Sequence, residues 1–189
     1  VAFLSSSELR ANITIPCSGS GANRSIDVKV TNPEILFPNV SRVFTVTPSL
    51  TDSDCDGEPN ALDCAPNNAA VKHAATEVTH SAVSLAGPST VIVWDSQGSL
   101  NGSGTVYDVV AGQLSDVRAT GNFAAATCGV NGIVDPPFTD PSPNPATGDA
   151  RFWLVRARNE CNLPGRGTYG DSTLVPDPRD ALDAGAPCP

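Results

Sequence analysis

Apolar side chains fall at every second position in three short runs near the start of the chain: Asn12-Ile13-Thr14-Ile15, Ile26-Asp27-Val28-Lys29-Val30 and Val43-Phe44-Thr45-Val46-Thr47. A period of two is that of a half-buried β-strand. Turn-forming clusters, Ser18-Gly19-Ser20-Gly21 and Thr31-Asn32-Pro33, separate the runs. The apolar opening Val1-Ala2-Phe3-Leu4 predicts a further strand that completes the local sheet. So few strands make a poor core by themselves, so residues 1–51 must pack on the rest of the chain, on a neighbouring copy, or be clipped by a disulfide. From about Thr79 the pattern returns in Val91-Ile92-Val93-Trp94, Thr105-Val106-Tyr107-Asp108-Val109-Val110 and Phe152-Trp153-Leu154-Val155-Arg156-Ala157. Loops at 98–104 and the proline-laden 135–148 divide them. This spacing predicts an all-β fold, an antiparallel β-sandwich over residues 79–189. No segment predicts a helix of three turns; Ala61-Leu62-Asp63 offers a single turn.

Composition agrees with that reading. Sixteen glycines and seventeen prolines exclude a helical bundle, and their lack of a three-residue period excludes collagen. A net charge of −9, with Lys29 and Lys72 the only lysines, argues against a nucleic-acid partner. No apolar run is long enough for a membrane span. The absence of methionine and the start at Val1 lead us to expect a mature product freed of its leader. Six cysteines fit an oxidising compartment, so the expected location is extracellular or at the cell surface.

Between the two β portions the chain changes character. Asp52, Asp54, Asp56, Glu58 and Asp63 crowd together without a basic residue among them. Counted from Asp52 as a twelve-position loop, aspartates stand at positions 1, 3, 5 and 12, Gly57 at 6 and Asn60 at 9. Calcium takes six to eight hard oxygens at about 2.3–2.6 Å, and a tight turn at Gly57 would fold alternate carboxylates inward. Glu58, at position 7, would offer its backbone carbonyl. The expected cofactor is therefore Ca2+, held by Asp52, Asp54, Asp56, Glu58, Asn60 and Asp63. Without a cation these carboxylates repel one another.

The segment DSDCDGEPNALDCAP resembles the thrombospondin type 3 repeat and related bacterial acidic repeats. The resemblance implies side-chain ligation by Asp52, Asp54, Asp56 and Asp63, with Glu58 acting through its backbone. Asn60 replaces the usual aspartate, which implies a water-mediated bond there, and Cys55 replaces a usual glycine. It also implies a second ion using Asp63 and Asn67 or Asn68. Farther on, SLAGPSTVIVWD, GTVYDVV, FWLVRARNEC and GTYG resemble the fibronectin type III-like sandwiches that follow such repeats in bacterial secreted proteins. That implies Trp94 and Tyr107 packed between two sheets, with Trp153 or Leu154 and Val155 on the strand opposite. No Arg-Gly-Asp attachment sequence occurs.

Cys17 lies outside the repeat and Cys55 departs from it, so a 17–55 bridge is expected, with Cys161–Cys188 tying down the tail. Zinc is disfavoured, because no C-x-x-C occurs. His73 and His80 have no metal-ligand spacing, no G-x-S-x-G surrounds a serine, and no phosphate loop leads into a helix. The expectation is a non-enzyme. Sequons occur at Asn12, Asn23, Asn39 and Asn101.

The organisation expected is a small N-terminal β segment over 1–51, a calcium-binding acidic loop and linker over 52–78, and a sandwich over 79–189. The function expected is a secreted calcium-binding structural subunit that assembles with itself into a fibre or matrix by β-strand donation. The alternative is a monomeric surface adhesion or carbohydrate-binding module with a glycan or matrix partner.

Overall fold

The computed structural model describes residues 52–162, 167–170, 177–185, 187 and 188, with residue 184 and the strands before residue 47 in backbone only. Four described strands precede the acidic loop: β1 (Ala2–Ser5), β2 (Glu8–Arg10), β3 (Arg24–Val30) and β4 (Val40–Val46). β1 pairs antiparallel with β2, and β3 with β4, as separate two-stranded sheets. The strand expected at Asn12–Ile15 lies outside the described residues.

After the loop come β5 (Ala82–Ala86), β6 (Ser89–Val93), α1 (Gly98–Asn101), β7 (Val106–Gln113), α2 (Leu114–Thr120), β8 (Thr127–Ile133), β9 (Phe138–Asp140), β10 (Arg151–Arg158) and α3 (Asp180–Gly185). They form two antiparallel three-stranded sheets, ordered β5-β6-β9 and β10-β7-β8. Among the described residues no helix is long and apolar enough to cross a membrane.

The two sheets share one core. Ile92 and Trp94 from the first meet Tyr107, Val109 and Ala157 from the second, with Phe138, Trp153 and Val155 packed around them. The Trp94 and Tyr107 rings lie 5.4 Å apart, tilted by 57°, a favourable aromatic geometry. Leu154 points the other way, because neighbouring strand residues face opposite sides. It joins a second core with Val110, Phe123, Phe152, Tyr169, Leu182 and Cys188. The C-terminal segment thus covers the outer face of the β10-β7-β8 sheet. That cover explains why Tyr107, Asp108, Val109 and Val110 are all buried in succession; a strand enclosed on both faces has no reason to alternate.

The disulfides differ from the pairing expected for the tail. Cys161 bonds Cys64, and Cys188 bonds Cys128. The reason is topological: Cys161 lies just beyond the end of β10, where the acidic segment returns, whereas Cys188 ends up beneath β7 and β8, its sulfur near the carbonyls of Val109 and Val130. Cys55 is also disulfide-bonded, but Cys17, its expected partner, lies outside the described residues.

Asp140 ties the sheets together at one end. It is buried on β9 and accepts hydrogen bonds from Arg151 Nη1 at 3.0 Å and Trp153 Nε1 at 2.9 Å on β10, and from the Ser142 backbone at 2.8 Å. Burial alone would raise its pKa, but the bonds from Ser142, Trp153 and Arg151 outweigh it and hold the carboxyl at about 2. Because the folded value lies below the unfolded one of about 3.9, the stabilisation is full above that pH and fades as pH falls toward 2. Asp140→Asn should therefore flatten the loss of stability between pH 4 and pH 2, measured by urea unfolding. A variant as acid-sensitive as the parent would show that other carboxylates control it.

Candidate metal centre

The acidic loop is built by its own backbone. Gly57, at φ +95°, makes the reversal that only glycine adopts readily. Cys55 also takes a left-handed φ of +69°, rare for a residue other than glycine, and is disulfide-bonded. Asp52 receives the backbone N–H of Cys55 at 2.8 Å and of Gly57 at 3.3 Å. Asp54 receives Asp56 N–H at 3.3 Å, and Asp56 receives Glu58 N–H at 2.8 Å. The loop then closes with one helical turn, Leu62 and Asp63 donating to the Pro59 carbonyl.

This folding brings Asp52, Asp54 and Asp56 together, with carboxylate oxygens within 4.8 Å of one another. Asp54 is 1% exposed and Asp63 7% exposed. One oxygen of each of Asp54, Asp56 and Asp63 is buried with no hydrogen-bond donor. A buried, unpartnered carboxylate oxygen is costly. Burial pushes the Asp54 carboxyl up; the Asp56 N–H opposes this, while the charges of Asp56, Asp63 and Asp52 add to it. A cation would relieve both penalties at once. The donor set is all oxygen, which suits a hard cation.

The side chains of the other expected ligands make bonds within the segment. Asn60 accepts from Ser53 N–H and donates to Ser53 Oγ, both at 2.8 Å, so its side chain braces the loop across seven residues. The Glu58 carboxylate lies 3.3 Å from His73 Nε2. Lys72 Nζ donates to the backbone carbonyl of Asp56, fixing the tip of the loop with a residue that the motif does not contain. Asn68 accepts from the Ala70 N–H at 3.1 Å.

Residues 64–78, read from sequence as part of a linker, are bonded into the β portion. Besides the Cys64–Cys161 disulfide, Lys72 N–H donates to the Asn101 carbonyl at 2.9 Å. Asn159 Nδ2 donates to His73 O at 2.7 Å and Asn162 Nδ2 to Ala75 O at 2.8 Å. Gln97 Nε2 donates to Thr76 O and Glu77 O, each at 3.0 Å. At Gly102 a Cβ would meet the Ala70 carbonyl at 2.3 Å, so only glycine permits this approach. Asn101 is 2% exposed and donates its side-chain N–H to Gln97 at 2.7 Å, so this sequon's asparagine is buried in the fold. The other three sequons lie outside the described residues. His80 sits exposed beside Asp95, at 2.6 Å.

No protein-family model matches the chain, and no match is found among curated proteins or solved structures.

Proposed function

We propose that the chain is a secreted, calcium-stabilised structural protein: a thrombospondin type 3-like acidic loop docked on a fibronectin type III-like sandwich, assembling with its own copies outside the cell by strand donation. The observation that carries the reading is the set of buried, unpartnered oxygens of Asp54, Asp56 and Asp63 in a loop tied covalently to the end of β10. Such a site couples ion binding to the shape of the fold and needs no substrate. Calcium suits it best, because the donors brought together are hard carboxylate oxygens on successive odd positions of a tight loop. The disulfides support an oxidising location. Assembly is supported by the two separate N-terminal ribbons, since a two-stranded ribbon is marginal alone and gains by joining a larger sheet.

Sedimentation of the full chain in calcium, repeated after chelation, tests this. Large regular species that dissociate on chelation are expected. A single 19.4 kDa species in both conditions would contradict assembly and favour the displayed adhesion or carbohydrate-binding module.

A further inference from the structure

Lys72 is the only lysine or arginine between Arg42 and Arg118, and its ammonium stands at the tip of the acidic loop. Its Nζ donates to the Asp56 carbonyl, and a Cβ placed on Gly57 would lie 3.9 Å from the same atom. This side chain is aimed from outside the loop. The Lys72 N–H donates to the Asn101 carbonyl at 2.9 Å, the Lys72 carbonyl accepts the Cys64 N–H at 3.1 Å, and the neighbouring Val71 is 3% exposed. The ammonium binds the main chain at position 5, whose carbonyl the twelve-position ligand scheme does not use. Asp52, Asp54 and Asp56 take their hydrogen bonds from loop N–H groups. Asp54, 1% exposed, keeps one oxygen without a donor. Lys72 thus brings a positive charge to the loop while leaving the carboxylates open to an ion.

We propose that Lys72 is a tethered counter-charge that sets the calcium affinity of this loop. The inference rests on the calcium reading above and names what regulates that site. In the empty loop the ammonium offsets part of the repulsion among the carboxylates. When a divalent ion enters, the same ammonium opposes it. The carbonyl and the carboxylate of one residue, Asp56, face the two cations, so these stand less than about 10 Å apart. Across that gap a single and a double charge still repel, and removing the ammonium should tighten binding about three- to tenfold at low ionic strength. The opposite sign would follow if the Lys72 bond served to shape the loop. That shape has other supports: Asn60 is bonded twice to Ser53, Asp52 takes two N–H groups, and Cys55 is disulfide-bonded. Charge count is one of the quantities by which calcium sites are tuned, and here a residue outside the motif supplies part of it.

The test is calcium titration of the full chain and of Lys72→Met, Lys72→Gln and Lys72→Arg, at about 0.01 M and about 1 M potassium chloride, where the screening length falls from about 30 Å to about 3 Å. Lys72→Met and Lys72→Gln should bind more tightly than the parent at low salt, and Lys72→Arg should match the parent. The gap should close at high salt, which a purely structural role would not produce. In chelator Lys72→Met should melt at a lower temperature than the parent, since the empty loop has lost its counter-charge. Equal or weaker binding by Lys72→Met and Lys72→Gln, or a gap unmoved by salt, overturns the counter-charge and leaves the calcium site standing. A parent that shows no saturable binding overturns both. Should Lys72→Met fail to fold, Lys72→Gln decides by the same criterion.

Discussion

Asp108→Ala should lower stability by about 3–5 kcal/mol, which for a chain of this size is roughly a 10 °C fall in melting temperature. Asp108 is 0% exposed on β7 and accepts from Arg156 Nε at 2.9 Å, Arg158 Nε at 3.0 Å and the Gly132 N–H at 2.9 Å. Arg156 is 1% exposed, donates Nη2 to the Cys188 carbonyl at 3.0 Å, and sits 4.6 Å over the Tyr169 ring. Removing the carboxylate leaves that guanidinium buried with little compensation, and the C-terminal segment loses the group that organises its docking. The cost comes from the uncompensated charge rather than from the worth of the pair. Asp108→Leu combined with Arg156→Leu should therefore recover much of the loss. Urea unfolding checks both variants; a loss under about 1 kcal/mol for Asp108→Ala would mean that water reaches Arg156.

The second large effect is a reversal of sign at Asp54. In chelator its carboxylate suffers burial and three like charges, so Asp54→Asn should raise the melting temperature. In calcium the same substitution should lower it, because a ligand charge is lost. Asp56→Ala should abolish the difference between the two conditions. At calcium a hundredfold above the dissociation constant, binding stabilises by about 2.7 kcal/mol, roughly 5–10 °C for this length. If Asp54→Asn melted at a lower temperature than the parent in both conditions, its carboxylate would be acting through hydrogen bonds and not through an ion.

Much of the strand pattern was legible because it was repetitive. The runs Ile26–Val30 and Phe152–Ala157 fall inside β3 and β10, while Val43–Thr47, Val91–Trp94 and Thr105–Val110 overlap β4, β6 and β7 and overrun each by one residue. β9 was hidden because Phe138-Thr139-Asp140 is three residues long and stands among prolines. β5 was missed because Ala82-Val83-Ser84-Leu85-Ala86, though alternating, is rich in small residues. The acidic cluster could be read from spacing, since a turn at a fixed offset brings alternate aspartates together. Its bracing could not. Lys72, Gln97, Asn159 and Asn162 belong to no motif, and their roles arise only when distant segments meet. Arg156 is the sharpest case: an arginine in a strand reads as solvent-facing until a third layer covers it. The Cys161–Cys188 pairing expected for the tail was misread for the same reason, because the face on which the C-terminal segment lies is a property of the assembled sheets.

Calorimetric titration of the metal-freed full chain with calcium, with melting temperature recorded at each end point, addresses the central claim most directly. A structural calcium site predicts saturable binding, a higher melting temperature when loaded, and the loss of both in Asp56→Ala. No heat of binding and an unchanged melting temperature would contradict it.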